Sequence, residues 1–170
     1  MSTTISINKV HFPVTTLGYG KRVGIWTQGC SIHCPGCISR DTWAFQDDTA
    51  MATDQFVASL SPWLSEADGV TVSGGEPFDQ PEALADLLKQ LHPRLSGDIL
   101  VYSGYARDQL LRLHAEILEL VDVLISEPYR PECGTTLTLR GSDNQRITLL
   151  SELARRRYPA DIDARAWEAT

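Results

Sequence analysis

Apolar positions along this chain follow two rhythms in turn. Arg22–Thr27 (Arg-Val-Gly-Ile-Trp-Thr), Gly69–Ser73 (Gly-Val-Thr-Val-Ser), Asp98–Tyr102 and Val121–Ile125 are short runs with the length and residue types of buried strands. Between them the spacing becomes helical. Leu84, Leu87, Leu88 and Leu91 recur at i, i+3, i+4 and i+7, and Asp79 with Glu82 three residues on forms a capping-box pattern ahead of them. Thr53 is placed to cap another helix, carrying Phe56, Leu60 and Leu64 on one face with Pro62 as an interruption. A further helix from about Arg107 to Leu118 turns Leu110, Leu113 and Ile117 inward. Ile5–Val10 is a strand candidate, Gly18-Tyr-Gly20 marks a turn, and Thr135–Leu139 alternates like a strand. Ile147–Leu150 suits a strand or the start of a helix reaching Arg157, and the tail beyond Pro159 is left unassigned.

Strands alternating with helices indicate an α/β fold with a mostly parallel sheet. The absence of linkers, repeats and low-complexity stretches makes residues 1–170 one expected domain. Four unusual loops each follow a strand directly: Gln28-Gly29-Cys30, Gly74-Gly75-Glu76-Pro77, Ser103-Gly104-Tyr105 and Ser126-Glu127-Pro128-Tyr129. In a parallel sheet all four gather at the C-terminal edge, where α/β folds place their active sites.

Composition narrows the function classes. Hydrophobic content of 42% and charged content of 22% are ordinary for a soluble globular protein. A net charge of -7 argues against binding a phosphate backbone, so no nucleic-acid partner is expected. No run approaches the ~18–20 apolar residues of a membrane span, and the first residues lack the basic and apolar regions of a secretory signal. The expected address is the cytoplasm, where thiols stay reduced and clustered cysteines read as metal sites.

Such a cluster is present. Cys30, Cys34 and Cys37 are spaced C-x3-C-x2-C, with the fourth cysteine, Cys133, remote. Thiolates suit iron–sulfur clusters and zinc. A cubane cluster normally takes one cysteine per iron, so three would leave one iron open for chemistry. The alternative is a structural zinc closed by His33 or Cys133. Gly74-Gly75-Glu76-Pro77 fits a plain strand-to-helix turn, or a loop that offers backbone groups and a carboxylate to a ligand ammonium. Tyr102-Ser-Gly-Tyr105 fits a tight turn or a pocket wall. His11, His92 and His114 are scattered, Arg155-Arg-Arg157 reads as a solvated helix end, and Cys133 as a free thiol.

With these residues in view, the chain resembles the radical S-adenosylmethionine (SAM) enzymes, and among them the small activating enzymes of anaerobic (class III) ribonucleotide reductase. The likeness runs in register from about Gly18 to Arg146. It includes Gly18-x-Gly20-x-Arg22, Gly29-Cys30-x3-Cys34-Pro35-Gly36-Cys37, Thr42-Trp43, Ser73-Gly74-Gly75-Glu76-Pro77, Tyr102-Ser103-Gly104-Tyr105, Val121–Ile125 and Arg140-Gly141-Ser142-x-Asn144-Gln145. Two positions depart from that branch: Ile38, where an aromatic is usual, and Ser126-Glu127, where Asp-Gly is usual. The segment between Pro131 and Arg140 is also short for the family.

The resemblance implies a partial (βα) barrel of radical SAM type. It implies that Cys30, Cys34 and Cys37 hold a [4Fe-4S] cluster whose fourth iron is chelated by SAM. Gly74, Gly75 and Glu76 would then take the methionine amino group. Gly36, Ile38, Ser103, Arg140 and Asn144 would complete the SAM pocket. Reductive cleavage would give a 5′-deoxyadenosyl radical that leaves a glycyl radical on a partner, a class III ribonucleotide reductase, with a one-electron donor such as a flavodoxin. No acid–base dyad is required beyond the cluster and SAM. Two other readings follow the same residues: a radical SAM enzyme acting on another peptide or nucleoside, and a non-enzymatic metal-binding interaction module.

Overall fold

The computed structural model describes residues 3–166. Met1 and Ser2, where the secretory-signal reading begins, lie outside the described residues, as does the end of the unassigned tail. Among the described residues seven strands form one sheet: β1 (Thr4–Val14), β2 (Arg22–Thr27), β3 (Ala50–Ala52), β4 (Gly69–Gly74), β5 (Asp98–Tyr102), β6 (Val123–Ser126) and β7 (Arg146–Leu149). Their order is β3-β1-β2-β4-β5-β6-β7. The four central strands β2, β4, β5 and β6 are mutually parallel. The flanking pairs β1–β2, β1–β3 and β6–β7 are antiparallel, so the fold is mixed α/β with a parallel heart.

The strand period decides what each face does, because successive side chains point to opposite sides. Val23 and Ile25 of β2, Val70 and Val72 of β4, and Ile99 and Val101 of β5 enter the main core. There they meet α1 (Thr53–Ser59), α2 (Ser61–Leu64), α3 (Pro81–Leu91), α4 (Arg107–Leu113) and α5 (Ala115–Leu118). Leu84, Leu87, Leu88 and Leu91 of α3 are all fully buried, as their spacing requires. Leu100, Val123 and Ile125 point the other way. They form a smaller core with Ile147, with Ala154 of α6 (Glu152–Arg157), and with Tyr158 and Ile162. Nearer the centre that second face stays open. Trp26, Ser73 and Tyr102 line a groove of about 860 Å³ there.

Several local expectations change for physical reasons. The helix from Thr53 breaks at Leu60, two residues before Pro62, which has no amide to continue it. Thr53 is its first helical residue rather than its cap, and its Oγ1 donates to the Thr3 carbonyl at 3.0 Å. The Arg107–Leu118 helix breaks at His114, which leaves Leu113 57% exposed instead of inward. Thr135–Leu139 is not a strand. The Asp143 carboxylate accepts from the Thr136 and Leu137 amides at 2.8 and 2.9 Å and takes the place of a neighbouring strand. Ile147 lies in β7, and the helix reaching Arg157 begins only at Glu152. Among the described residues no helix is long and apolar enough to cross a membrane.

Candidate functional site

The loops after β2, β4, β5 and β6 meet at one edge of the sheet and enclose a cavity of about 160 Å³. Its walls include Cys30, Cys34 and Cys37 together with Gly74, Gly75, Glu76, Ser103 and Tyr129. Local hydrogen bonding explains why the chain must turn here. The Gly29 amide donates to the Thr42 carbonyl at 2.6 Å, and the Cys30 amide to the Trp43 carbonyl at 3.1 Å. The pair Thr42-Trp43 therefore holds the entry to the cysteine loop through its backbone. The His33 ring stacks on Trp43 with centroids 4.3 Å apart, which commits it to that ring face. Cys133 is exposed and does not line the cavity of the other three cysteines.

Gly74 and Gly75 are needed for close approach. Gly74 has φ +111°, and a Cβ there would fall 2.2 Å from the Thr27 amide nitrogen; a Cβ on Gly75 would fall 2.2 Å from the Gly29 carbonyl oxygen. The Gly75 amide donates to Thr27, and the Glu76 amide to Gly29, at 3.0 and 2.9 Å. The glycine pair thus lies directly against the strand end that delivers Cys30.

Glu76 forms the floor of the cavity. It is buried, and its Oε1 accepts from the Phe78 amide at 3.0 Å and from Ser103 Oγ at 2.8 Å; its Oε2 accepts from the Gly104 amide at 2.7 Å. All three donors are neutral, and among the described residues no cation pairs with Glu76. Burial is the dominant effect and pushes its carboxyl up to about 7, against the pull of the three hydrogen bonds. A carboxylate oxygen has two lone pairs, so Oε2 keeps capacity for one more donor. Burial likewise raises the Cys30 thiol, opposed by the amides of His33 and Ile32.

These observations test the fit of the implied cofactors. Three soft sulfur donors open into one cavity, as an iron–sulfur cluster requires. The glycine pair and an under-neutralised carboxylate stand beside them, as a ligand ammonium requires. The donor set fits. Among the described residues no three His, Cys, Asp or Glu side chains are arranged to hold a single metal ion.

The other expected SAM contacts are placed differently. Ser103 lines the cavity, with its hydroxyl spent on Glu76. Ile38 is 96% exposed and lines the neighbouring groove rather than the cavity. Gly36, at φ +80°, faces Pro131 and Tyr129. Arg140 is buried, and its guanidinium is occupied by the carbonyls of Thr138, Gln145, Asp163 and Ile162. Asn144 donates to the Pro128 carbonyl at 2.7 Å and lines neither the cavity nor the groove. The donors of Arg140 and Asn144 are thus held within the protein, while Asn144 Oδ1 is buried with no hydrogen-bond partner and Arg140 borders the groove. The last residue of the late motif is the one that reaches the cavity: Gln145 lines it while tying Gly141, Ser142 and Glu127 together.

Tyr129 and Gln145 were not among the expected site residues, although both lie in loops singled out by the sequence. Glu127, where the family tends to have glycine, takes φ +82°. Its carboxylate accepts from the Arg107 amide at 2.7 Å and from Ser126 Oγ at 2.9 Å. The Ser-Glu departure has thus acquired its own hydrogen bonds.

Known proteins resemble this chain in sequence and in fold. The family model described as "4Fe-4S single cluster domain" matches residues 16–148. The anaerobic ribonucleoside-triphosphate reductase-activating protein of Salmonella typhimurium is 31% identical over 144 residues, covering 79% of this chain and 93% of that protein. Its namesake from Enterobacteria phage T4 is 33% identical over 135 residues, covering 76% and 85%. Among solved structures, QueE from Escherichia coli superposes with a TM-score of 0.52 at 20% identity, over 59% of this chain and 53% of that one, a likeness of fold.

Proposed function

Since this chain belongs to the 4Fe-4S single cluster domain family, among the anaerobic ribonucleoside-triphosphate reductase-activating proteins, we propose that it is a radical SAM activase that installs a glycyl radical on a class III ribonucleotide reductase. The observation that carries the proposal is the shared cavity of Cys30, Cys34 and Cys37 with Gly74, Gly75 and Glu76. When bound, a [4Fe-4S] cluster and SAM supply one-electron cleavage of a sulfonium and a radical able to take hydrogen from a glycine. The chain's own residues supply position and enclosure. Cys30, Cys34 and Cys37 are the residues whose thiolates would hold the cluster. Gly74 and Gly75 admit the ligand's amino acid end to within reach of backbone. Glu76 accepts its ammonium at the free lone pair of Oε2, in a buried setting where such a charge pair is little screened. Ser103 and Gly104 keep that carboxylate in place.

Beside the cavity lies the groove lined by Trp26, Tyr102 and Leu139. A flavodoxin-like donor delivers the electron, the address is cytoplasmic, and residues 1–170 act as one domain. The test is anaerobic reconstitution with iron and sulfide, reduction, and addition of SAM with a class III reductase. A glycyl doublet by EPR is the expected result. Formation of 5′-deoxyadenosine without the doublet would instead support a peptide or nucleoside substrate. Cys30→Ala, Cys34→Ala or Cys37→Ala should each abolish the iron-dependent absorbance, and Cys133→Ala should leave it intact. Loss of the cluster in Cys133→Ala would overturn the three-thiolate assignment.

A further inference from the structure

Asp79 stands three residues past Glu76, and by sequence it would cap the helix that follows. The structure gives that helix Gln80 as its N-terminal flank, with no side-chain cap. The Asp79 carboxylate is used elsewhere. Its Oδ2 accepts from the backbone amide of Ser31 at 2.8 Å, and its Oδ1 accepts a short hydrogen bond from the Tyr105 hydroxyl. Tyr105 Oη also lies 3.1 Å from Ser31 Oγ, closing a three-residue ring across the loops after β2, β4 and β5.

Ser31 directly follows Cys30, so this ring decides the direction in which the cysteine loop leaves the sheet. Beyond it, His33 takes φ +53°. Hydrogen bonds to cluster sulfurs and nearby charge are among the factors that set a cluster's potential.

Building on the activase reading, we infer that Asp79 is a positioning residue for the cluster. It anchors Ser31, with Tyr105 as brace, and so fixes where the cysteine loop carries the adjacent Cys30 thiol. The anchor acts through Ser31, and Asp79 does not line the cavity.

Two measurements test this, and neither needs a partner. In the apo protein, amide hydrogen exchange at Ser31 by NMR should accelerate at least about tenfold in Asp79→Ala. That is the factor that one hydrogen bond to a charged acceptor is worth. The Cys37 amide, held by the Cys34 carbonyl, serves as internal reference. In the reconstituted protein, Tyr105→Phe keeps the Asp79 charge and removes only the brace, so a midpoint potential that moves in Tyr105→Phe as well as in Asp79→Asn is the expected sign of positioning. Should Asp79→Ala not fold, Asp79→Asn decides on both readouts, with about threefold faster exchange at Ser31. Exchange within twofold of wild type overturns the inference. So does faster exchange with an unmoved potential, which would make Asp79 a structural tie only. A chain that takes up no iron defeats the activase reading, whereas the exchange data still decide whether Asp79 holds the loop.

Discussion

Two buried carboxylates sit at opposite ends of the same sheet and are treated in opposite ways. At the N-terminal edge, Asp98 is fully buried and faces the equally buried Arg22 through two bonds of 3.1 and 2.9 Å. Tyr158 Oη adds a donor at 2.9 Å and Arg157 a second guanidinium at 3.1 Å. The remaining Arg22 donors go to Thr71 Oγ1 and to the carbonyls of Tyr19 and Val70. At the C-terminal edge, Glu76 is buried just as deeply but has only neutral donors, and one face of the carboxylate borders a cavity. A closed ion pair fixes strands and has nothing left to bind with. A carboxylate lacking a cation is poorly placed for stability and well placed to receive one. The difference separates an edge built to hold the sheet together from an edge built to take a ligand.

The largest break in that comparison is Asp98→Ala, which strands a buried guanidinium. It should cost about 3–5 kcal/mol, read from the chemical denaturation midpoint. A loss below about 1 kcal/mol would mean that the ion pair does not anchor this edge.

Next is the pH dependence due to Glu76. Its carboxyl ionises near 4.5 when unfolded and near 7 in the fold. Below about 4.5 both states are protonated and burial costs nothing. Between 4.5 and 7 the folded state keeps a proton that the unfolded state has lost, so stability falls as pH rises, in total by on the order of 3 kcal/mol. Above 7 both states are ionised and the full cost remains. Denaturation of the apo protein from pH 5 to pH 8 should show this decline, and Glu76→Gln should flatten it. An unchanged slope in Glu76→Gln would remove Glu76 as its source.

The smallest expected effects come from removing one neutral donor at each end. Tyr158→Phe and Ser103→Ala should each cost about 1 kcal/mol. They differ in function: Ser103→Ala should weaken SAM binding measured by calorimetry on the reconstituted protein, and Tyr158→Phe should not. Equal binding losses would erase the distinction between the two edges.

Much of this was legible in the chain itself. Strands β2 and β5 end where their residue runs end, and α3 buries the four leucines that its spacing marks. These follow from periodicity and local stereochemistry, which a linear sequence carries in full. It also carries the C-x3-C-x2-C spacing and the strand-then-loop pattern that brings four loops to one edge. Roles that depend on distant partners were not legible. Asp79 has the local signature of a helix cap, but Ser31 and Tyr105 reach it first. Arg140 and Asn144 sit in a motif that reads as a ligand contact, yet tertiary packing turns them onto backbone carbonyls. Thr135–Leu139 has strand alternation, but the Asp143 carboxylate takes the Thr136 and Leu137 amides and leaves only an isolated bridge of Leu137 with Ala166. A polar group takes whichever partner the fold brings within hydrogen-bond reach. By itself the sequence determined the elements, their order and the three thiols at the sheet edge. Only the tertiary structure decided which carboxylate would be neutralised and which would be left facing the cavity.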